Sequence, residues 1–284
     1  MKKINSFIII GGDSRQIYMA EYLDALGYDI SVYGLPESSI SDIKYEIKEK
    51  DAVIFPLPVT KDGKYIFSTV PMKETADEIV SYIKPQQPVF CGMISKGLES
   101  KLKKNGANVH DYFRREEVTV MNTIPTVQGI LKAIIDNIDY TIFSSNCAVF
   151  GYGRVAKATA DALSSIGSEI TVCARKYGDI ALAATKRYNG CMINEFYKIA
   201  NKFNIIINTV PSLVIDKKIL NNVKKDCLII DVSSAPFGTD FATAYELGLN
   251  AIQCSSLPGK VAPKSAGKII AEGILNIIKE EYDG

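Results

Sequence analysis

Residues 151–156 read Gly151-Tyr152-Gly153-Arg154-Val155-Ala156 and follow directly on the apolar run 147–150. This is G-x-G-x-x-A at the joint between a strand and a helix, where a dinucleotide pyrophosphate sits. Gly151 permits the tight turn, and Gly153 lets the backbone approach the phosphates. Ala156 lets the helix pack close to the strand. Along the turn, the helix start offers the anion N–H groups and a partial positive charge. A second strand pattern, 169–174, ends in Ala174-Arg175-Lys176. An NAD site usually carries a carboxylate here, for the ribose 2′-hydroxyl. Two cations suit a 2′-phosphate instead. The expected cofactor is NADP(H); the alternative is a solvated basic turn.

Ligands of open α/β sheets bind beyond the carboxyl ends of the strands, so the polar residues there are the other candidates. The first strand ends in Gly11-Gly12-Asp13-Ser14-Arg15-Gln16, a glycine pair before a helix start. Arg15 is read as a clamp for a substrate carboxylate, against the alternative of a surface arginine. Residues 55–63 contain Pro56 and Pro58, which stiffen a loop. Ser95 and Lys96 open a helix and could bind an anion or simply cap it. Thr209, Val210 and Pro211 lie where a cofactor's ribose and nicotinamide run. Asp231, expected half-buried, could position substrate, take a proton or cap backbone amides. Lys260 lies in a proline-bounded loop. A partly desolvated lysine there could bind a carboxylate or move a proton; an exposed one would do neither. Lys264 precedes a helix, where a cation is unfavourable unless an anion is near.

Composition bounds the rest. With 284 residues the chain is long enough for two domains. Its 33 basic and 32 acidic side chains leave a net charge of +1, which gives no reason to expect nucleic acid or an anionic membrane as partner. No apolar run approaches the roughly 20 residues that span a bilayer. The N-terminus, MKKINSFIIIGGD, reads as a first buried strand and not a signal peptide, so the expected location is cytoplasmic. Six cysteines include no C-x-x-C pair and read as buried reduced thiols. A single histidine, His110, leaves zinc catalysis and a Ser-His-Asp hydrolase without support.

Strand patterns at 7–10, 29–33, 52–55, 88–91 and 107–110 alternate with helix patterns at 15–26, 40–49, 72–83 and 98–104. One long helix is expected over 117–138, kinked or delayed by Pro125. Strands at 147–150, 169–174, 204–208, 227–232 and 249–253 follow, with an extra one near 190–193 and a last helix over 265–280. Such alternation means parallel sheets covered by helices. The expected fold is α/β: two doubly wound, Rossmann-like parallel-sheet domains with an interdomain cleft. The first domain spans 1–118, rejoined by the C-terminal helix 264–284. A connecting helix spans 119–143, and the NADP(H)-binding domain 144–263.

Taken together, GGDSRQ (11–16), LPVTKDG (57–63), NTIPTVQG (122–129), GYGRVA (151–156), DVSSAPFGTDF (231–241) and LPGKVAPKSAG (257–267) resemble the A subunits of dipicolinate synthase. The resemblance spans nearly the whole chain, with Ala156 and Thr123 as minor departures. It implies oxidation of dihydrodipicolinate, or of its hydrated tetrahydro precursor, to pyridine-2,6-dicarboxylate, with NADP as hydride acceptor. The partner it implies is a smaller, flavoprotein-like B subunit, and the location is the mother-cell cytoplasm during sporulation. A homo-oligomer is a further expectation. A dicarboxylate substrate calls for at least two cationic clamps, for which Arg15, Lys260 and Lys264 are the candidates, with Ser95 beside them. Lys260, Asp231 or water could take the ring proton. Two other readings stay open: a dehydrogenase of a 2-hydroxy or 2-amino acid, and a non-catalytic protein that only binds NADP.

Overall fold

A computed structural model of the chain describes residues 3–36, 38 and 40–282. The first half contains β1 (Ser6–Ile10), α1 (Ser14–Ala25), β2 (Asp29–Tyr33), α2 (Ile43–Glu49), β3 (Ala52–Ile54), α3 (Ala76–Tyr82), β4 (Pro88–Cys91), α4 (Lys96–Lys104), β5 (Asn108–Asp111) and α5 (Glu116–Met121). The second contains α6 (Thr123–Ile135), β6 (Asn146–Phe150), α7 (Arg154–Ser165), β7 (Glu169–Ala174), α8 (Tyr177–Thr185), β8 (Asn189–Met192), β9 (Ile205–Asn208), α9 (Lys217–Leu220), β10 (Leu228–Asp231), α10 (Phe241–Glu246), β11 (Asn250–Gln253), α11 (Leu257–Val261) and α12 (Pro263–Glu281).

The strands form two sheets, ordered β2-β1-β3-β4-β5 and β11-β10-β9-β6-β7-β8, and every pairing within them is parallel. Strand order reverses between β1 and β3 in the first and between β6 and β9 in the second. These switch points are where doubly wound sheets bind ligands. Central strands such as β1, β6 and β9 are apolar and buried on both faces, as a sheet covered by helices on each side requires.

The chain divides into two compact units. One comprises the residues up to Asn122 together with those from Ala262 on, and the other is Thr123–Val261. The expected single helix over 117–138 is two helices. α5 ends at Met121 with Asn122 as its C-cap, and Pro125 falls in the first turn of α6, where a missing N–H costs no hydrogen bond. Val118 of α5 packs on Gly273 of α12, and Arg115 forms a bidentate ion pair with Glu280 at 2.6 and 2.7 Å. α6 instead contributes Ile130, Ala133 and Ile134 to the second unit's core. Contrary to the sequence expectation, Glu116–Ile135 is long and apolar enough, by length and composition, to cross a membrane. It is broken at Asn122, and its two halves pack into different cores.

α3 begins at Ala76, later than the expected residue 72. Thr75 and Glu78 form a reciprocal capping box that fixes the start. The residues before it are a hairpin-like excursion across the end of β1. Thr60 bridges Ile66, the Gly12 N–H donates to Phe67 O at 2.6 Å, and the Thr69 N–H donates to Gly12 O at 3.0 Å.

α12 lies on α1 and buries Ile270, Ala271, Ile274, Ile277 and Ile278. Gly267 makes the crossing close: a Cβ there would stand 2.3 Å from the Arg15 carbonyl oxygen and 3.0 Å from the Met19 nitrogen. Gly267→Ala is expected to cost about 1–3 kcal/mol through overpacking. Gly97→Ala, in open space on α4, is expected to be neutral or slightly stabilising. Chemical denaturation of both variants checks this, and equal midpoints would remove the close crossing as the cause.

Candidate active site

The two switch points begin their helices differently. At the first, α1 caps itself: Asp13 accepts from the Arg15 N–H at 3.0 Å, and Gln16 Oε1 accepts from the Asp13 N–H at 3.0 Å. Burial pushes the Asp13 carboxyl up, but the hydrogen bonds and charge of Arg15 outweigh it and hold the group below its ordinary range. The place an exogenous anion would take is filled by the protein's own carboxylate.

Arg15 is correspondingly committed. Its side chain is buried, its Nε and Nη2 donate to the two Asp13 oxygens at 2.8 and 2.9 Å, and Nη2 also donates to Leu57 O at 2.7 Å. This corrects both the surface reading and the simple clamp: Arg15 ties the Asp13 cap to the Leu57-Pro58 loop. Ser95 accepts from the Leu98 N–H as the N-cap of α4, so its hydroxyl serves the helix.

At the second switch point no side chain caps α7. Its N-cap is Gly153, and a Cβ there would meet nothing within 4 Å. Gly151 has φ +94°, and a Cβ at that position would stand 2.7 Å from Thr209 Oγ1. The turn is held from beneath, since the Gly151 N–H donates to Cys173 O at 2.8 Å and Thr209 Oγ1 donates to Phe150 O at 2.8 Å. Arg154 and Val155 form the first turn of α7. Tyr152 is half-buried, and burial raises its phenol. Val210 is buried against Gly151 and packs in the core, whereas Pro211 is exposed. An uncapped helix start, reached through open space, fits a pyrophosphate.

Ala174 is buried, and Arg175 and Lys176 are exposed. Arg175 lines a cavity of about 410 Å³ with Met192, Asn194, Tyr197, Leu213 and Lys218. The Lys218 ammonium lies 3.5 Å from the Tyr197 ring centroid. Lys176 does not line this cavity and is the N-cap of α8. Lys218 and Tyr197 are not among the residues the sequence singles out, because neither belongs to a periodic or spaced motif. Nor is Lys61, which lies over the Phe67 ring at 3.5 Å and contributes its charge to Asp13. The Asp62-Gly63 pair is the available signal for that hairpin.

Asp231 is not half-buried but wholly buried, with 0% exposure. Its carboxylate accepts from Asn208 Nδ2 at 2.9 Å, the Ser233 N–H at 2.9 Å, Ser233 Oγ at 2.6 Å and the Gly238 N–H at 2.9 Å. Burial raises the carboxyl, but these hydrogen bonds prevail and hold it below the usual range. A saturated, inaccessible, weakly basic carboxylate is not a proton acceptor for substrate. It stitches the ends of β9 and β10 to the loop after β10.

Lys260 is exposed on the short helix α11, so the expectation of a desolvated loop lysine is not met. Lys264, the second residue of α12, lines a depression of about 430 Å³ with Ser265, Lys268, Tyr18 and Tyr22. His110 Nε2 lies 2.7 Å from the Tyr282 hydroxyl, and its ring stacks on Phe90. Burial lowers its basicity although Glu281 opposes this. Among the described residues no group of three or more His, Cys, Asp or Glu could hold a metal ion.

Asp231→Asn is expected to cost about 1–3 kcal/mol, by leaving a buried donor facing an amide. Because the folded carboxyl is depressed, its stabilisation is complete above the unfolded value of about 3.9 and is lost as pH falls through the folded value. Stability measured from pH 6 down to pH 2 should therefore fall more steeply in the parent than in the variant. Parallel curves would deny Asp231 this role.

The family described as the N-terminal domain of the dipicolinate synthase A subunit matches residues 6–113. The A subunit of dipicolinate synthase from Bacillus subtilis (strain 168) is 29% identical over 285 residues, which is 96% of this chain and 95% of that protein. The crystal structure of the corresponding Bacillus halodurans protein matches with a TM-score of 0.87 at 28% identity, over 98% of this chain and 99% of its own. The transhydrogenase from Sinorhizobium meliloti shares the fold, with a TM-score of 0.63 at 13% identity over 96% of this chain and 93% of its own. Residues 6–113 thus match the family model for the N-terminal domain of the dipicolinate synthase A subunit, and the chain is similar to these proteins over nearly its whole length.

Proposed function

We propose that this chain is an NADP-dependent dehydrogenase serving as the A subunit of a dipicolinate synthase. Its substrate would be dihydrodipicolinate, or the hydrated tetrahydro precursor, and its product pyridine-2,6-dicarboxylate. The observation that carries the reading is the uncapped start of α7 at the β6/β9 switch point, with open space over Gly153. The similarity to dipicolinate synthase A subunits supports dipicolinate as the product.

Residues 151–155 would hold the pyrophosphate. Arg175 would take the 2′-phosphate, and Tyr197 and Lys218 would flank the adenosine end. Thr209 is at the right strand end for the ribose and nicotinamide. NADP⁺, when bound, supplies the hydride acceptor. The chain's own task is to orient a flat dianion, because aromatisation drives the loss of hydride and proton. Exposed ammonium groups suit carboxylates, and Lys260 and Lys264, both exposed, are the proposed candidates. With Asp231 enclosed, Lys260 or water takes the ring proton. A smaller B subunit is the proposed partner, and the cytoplasm the proposed location.

One observation favours a second reading, a protein that binds cofactor without completing the chemistry. Arg15 and Ser95, two of the first domain's sequence candidates, are both engaged by the protein itself. Purified chain with enzymatically generated dihydrodipicolinate and NADP⁺, assayed with and without the B subunit, separates the two. Turnover by the chain alone supports the dehydrogenase; NADPH binding without turnover supports the second reading.

Two variants test the site. Arg175→Asp is expected to weaken NADPH binding by about 10–100-fold while sparing NADH, as the loss of charge-assisted bonds worth about 1.5–3 kcal/mol implies. Unchanged NADPH affinity would refute the 2′-phosphate assignment. Lys260→Ala is expected to lose turnover and keep NADPH affinity; near-parental turnover would remove Lys260 from the site.

A further inference from the structure

Cys173 and Cys191 stand opposite each other in the parallel pairing of β7 with β8. Neighbouring strands lie roughly 4.8 Å apart. That is inside the Cα separation of about 4.4–6.8 Å that a disulfide spans. Both side chains face the same core, in which Cys173 is buried near Phe150 and Phe196 and against which Cys191 packs. The Cys191 S–H donates to the Met192 carbonyl at 3.3 Å, and the Cys173 thiol stands directly across the strand pair.

The pair is asymmetric. Cys173 is wholly buried, and Cys191 is partly exposed on β8, the edge strand of its sheet. The neighbouring Cys173 thiol holds the Cys191 thiol below its ordinary value, and burial pushes Cys173 far above. Cys191 is thus the accessible nucleophile and Cys173 the resolving thiol directly opposite it in the strand pair. An edge strand, paired on one side only, can also shift to relieve the geometry of a cross-strand link.

We propose that Cys173 and Cys191 form a reversible disulfide, made by exchange with a low-molecular-weight disulfide. The Cys191 thiolate attacks one sulfur of the oxidant, whose S–S bond breaks and releases one thiolate. Cys173 gives its proton to solvent, and its sulfur attacks Cys191 sulfur in the mixed disulfide, releasing the second thiolate. Two protein thiols are oxidised by two electrons, and one oxidant disulfide is reduced to two thiols.

Arg175 follows Cys173 by two residues and Met192 follows Cys191 directly, and both line the 410 Å³ cavity. The disulfide therefore alters the wall of the adenosine site, a consequence that rests on the NADP(H) reading.

The test incubates the native chain with glutathione disulfide and maps its peptides without reduction. The expected result is a Cys173 peptide joined to the Cys191 peptide, separated again by dithiothreitol. The oxidised protein should bind NADPH about tenfold more weakly, a coupling of ordinary size. Cys191→Ser should keep the reduced protein's affinity and lose the response to oxidant. A stable glutathione adduct on Cys191 without the joined peptide overturns the pair, as does an unchanged thiol titre. A joined peptide with unchanged NADPH affinity overturns the coupling. If the reduced protein binds no NADPH, the dinucleotide reading fails and the peptide map still decides the disulfide.

Discussion

A helix that starts just beyond a buried strand must satisfy amides that have no partner within the helix. The two domains meet this demand in opposite ways. α1 commits a carboxylate to it, and that carboxylate brings its own counter-ion, Arg15, which in turn reaches the Leu57 carbonyl. The result is a closed polar knot at the end of β1. α7 commits no side chain at all. It begins at a glycine with empty space over it, so its partial positive charge is directed at whatever ligand arrives. One backbone arrangement, repeated in one chain, thus yields one helix start closed by its own carboxylate and one left open.

Keeping the open helix start in shape falls to groups beneath and beside it. Thr209 and the Cys173 carbonyl hold the Gly151 turn from below. Asp231 ties Asn208 to Ser233 and Gly238, and so fixes the two strand ends beside that turn. A buried carboxylate is tolerable only when its oxygens are satisfied, and here four donors do so. Its value is positional, because every bond it accepts comes from a residue at the rim of the sheet.

The strand and helix alternation, the parallel sheets and the glycine turn before α7 are legible in the sequence because each rests on a local pattern. Residues 147–156 carry strand, turn and helix start within ten positions. Thr75 and Glu78 also announce a helix start, but their reciprocal cap competes with the apolar residues just before them. What sequence does not disclose is the fate of charged side chains. Arg15 and Asp231 look like reagents when read singly. Their partners, Leu57 O in one case and Gly238 N–H in the other, are backbone atoms that no residue type advertises. Lys260 departs in the other direction: flanking glycine and apolar residues suggest desolvation, and a single turn of helix exposes it instead. Lys218 and Tyr197 come together only through tertiary packing.

The return of α12 to α1 makes the first domain discontinuous, with the second inserted into its chain. On a ribosome the order of emergence then matters. The first sheet is synthesised early, but the face that α12 covers, around Met19 and Leu23, stays bare until the last residues appear. The inserted domain has all of its strands consecutive and can close on its own. The inserted unit, Thr123–Val261, would then be complete while the first still waits for α12.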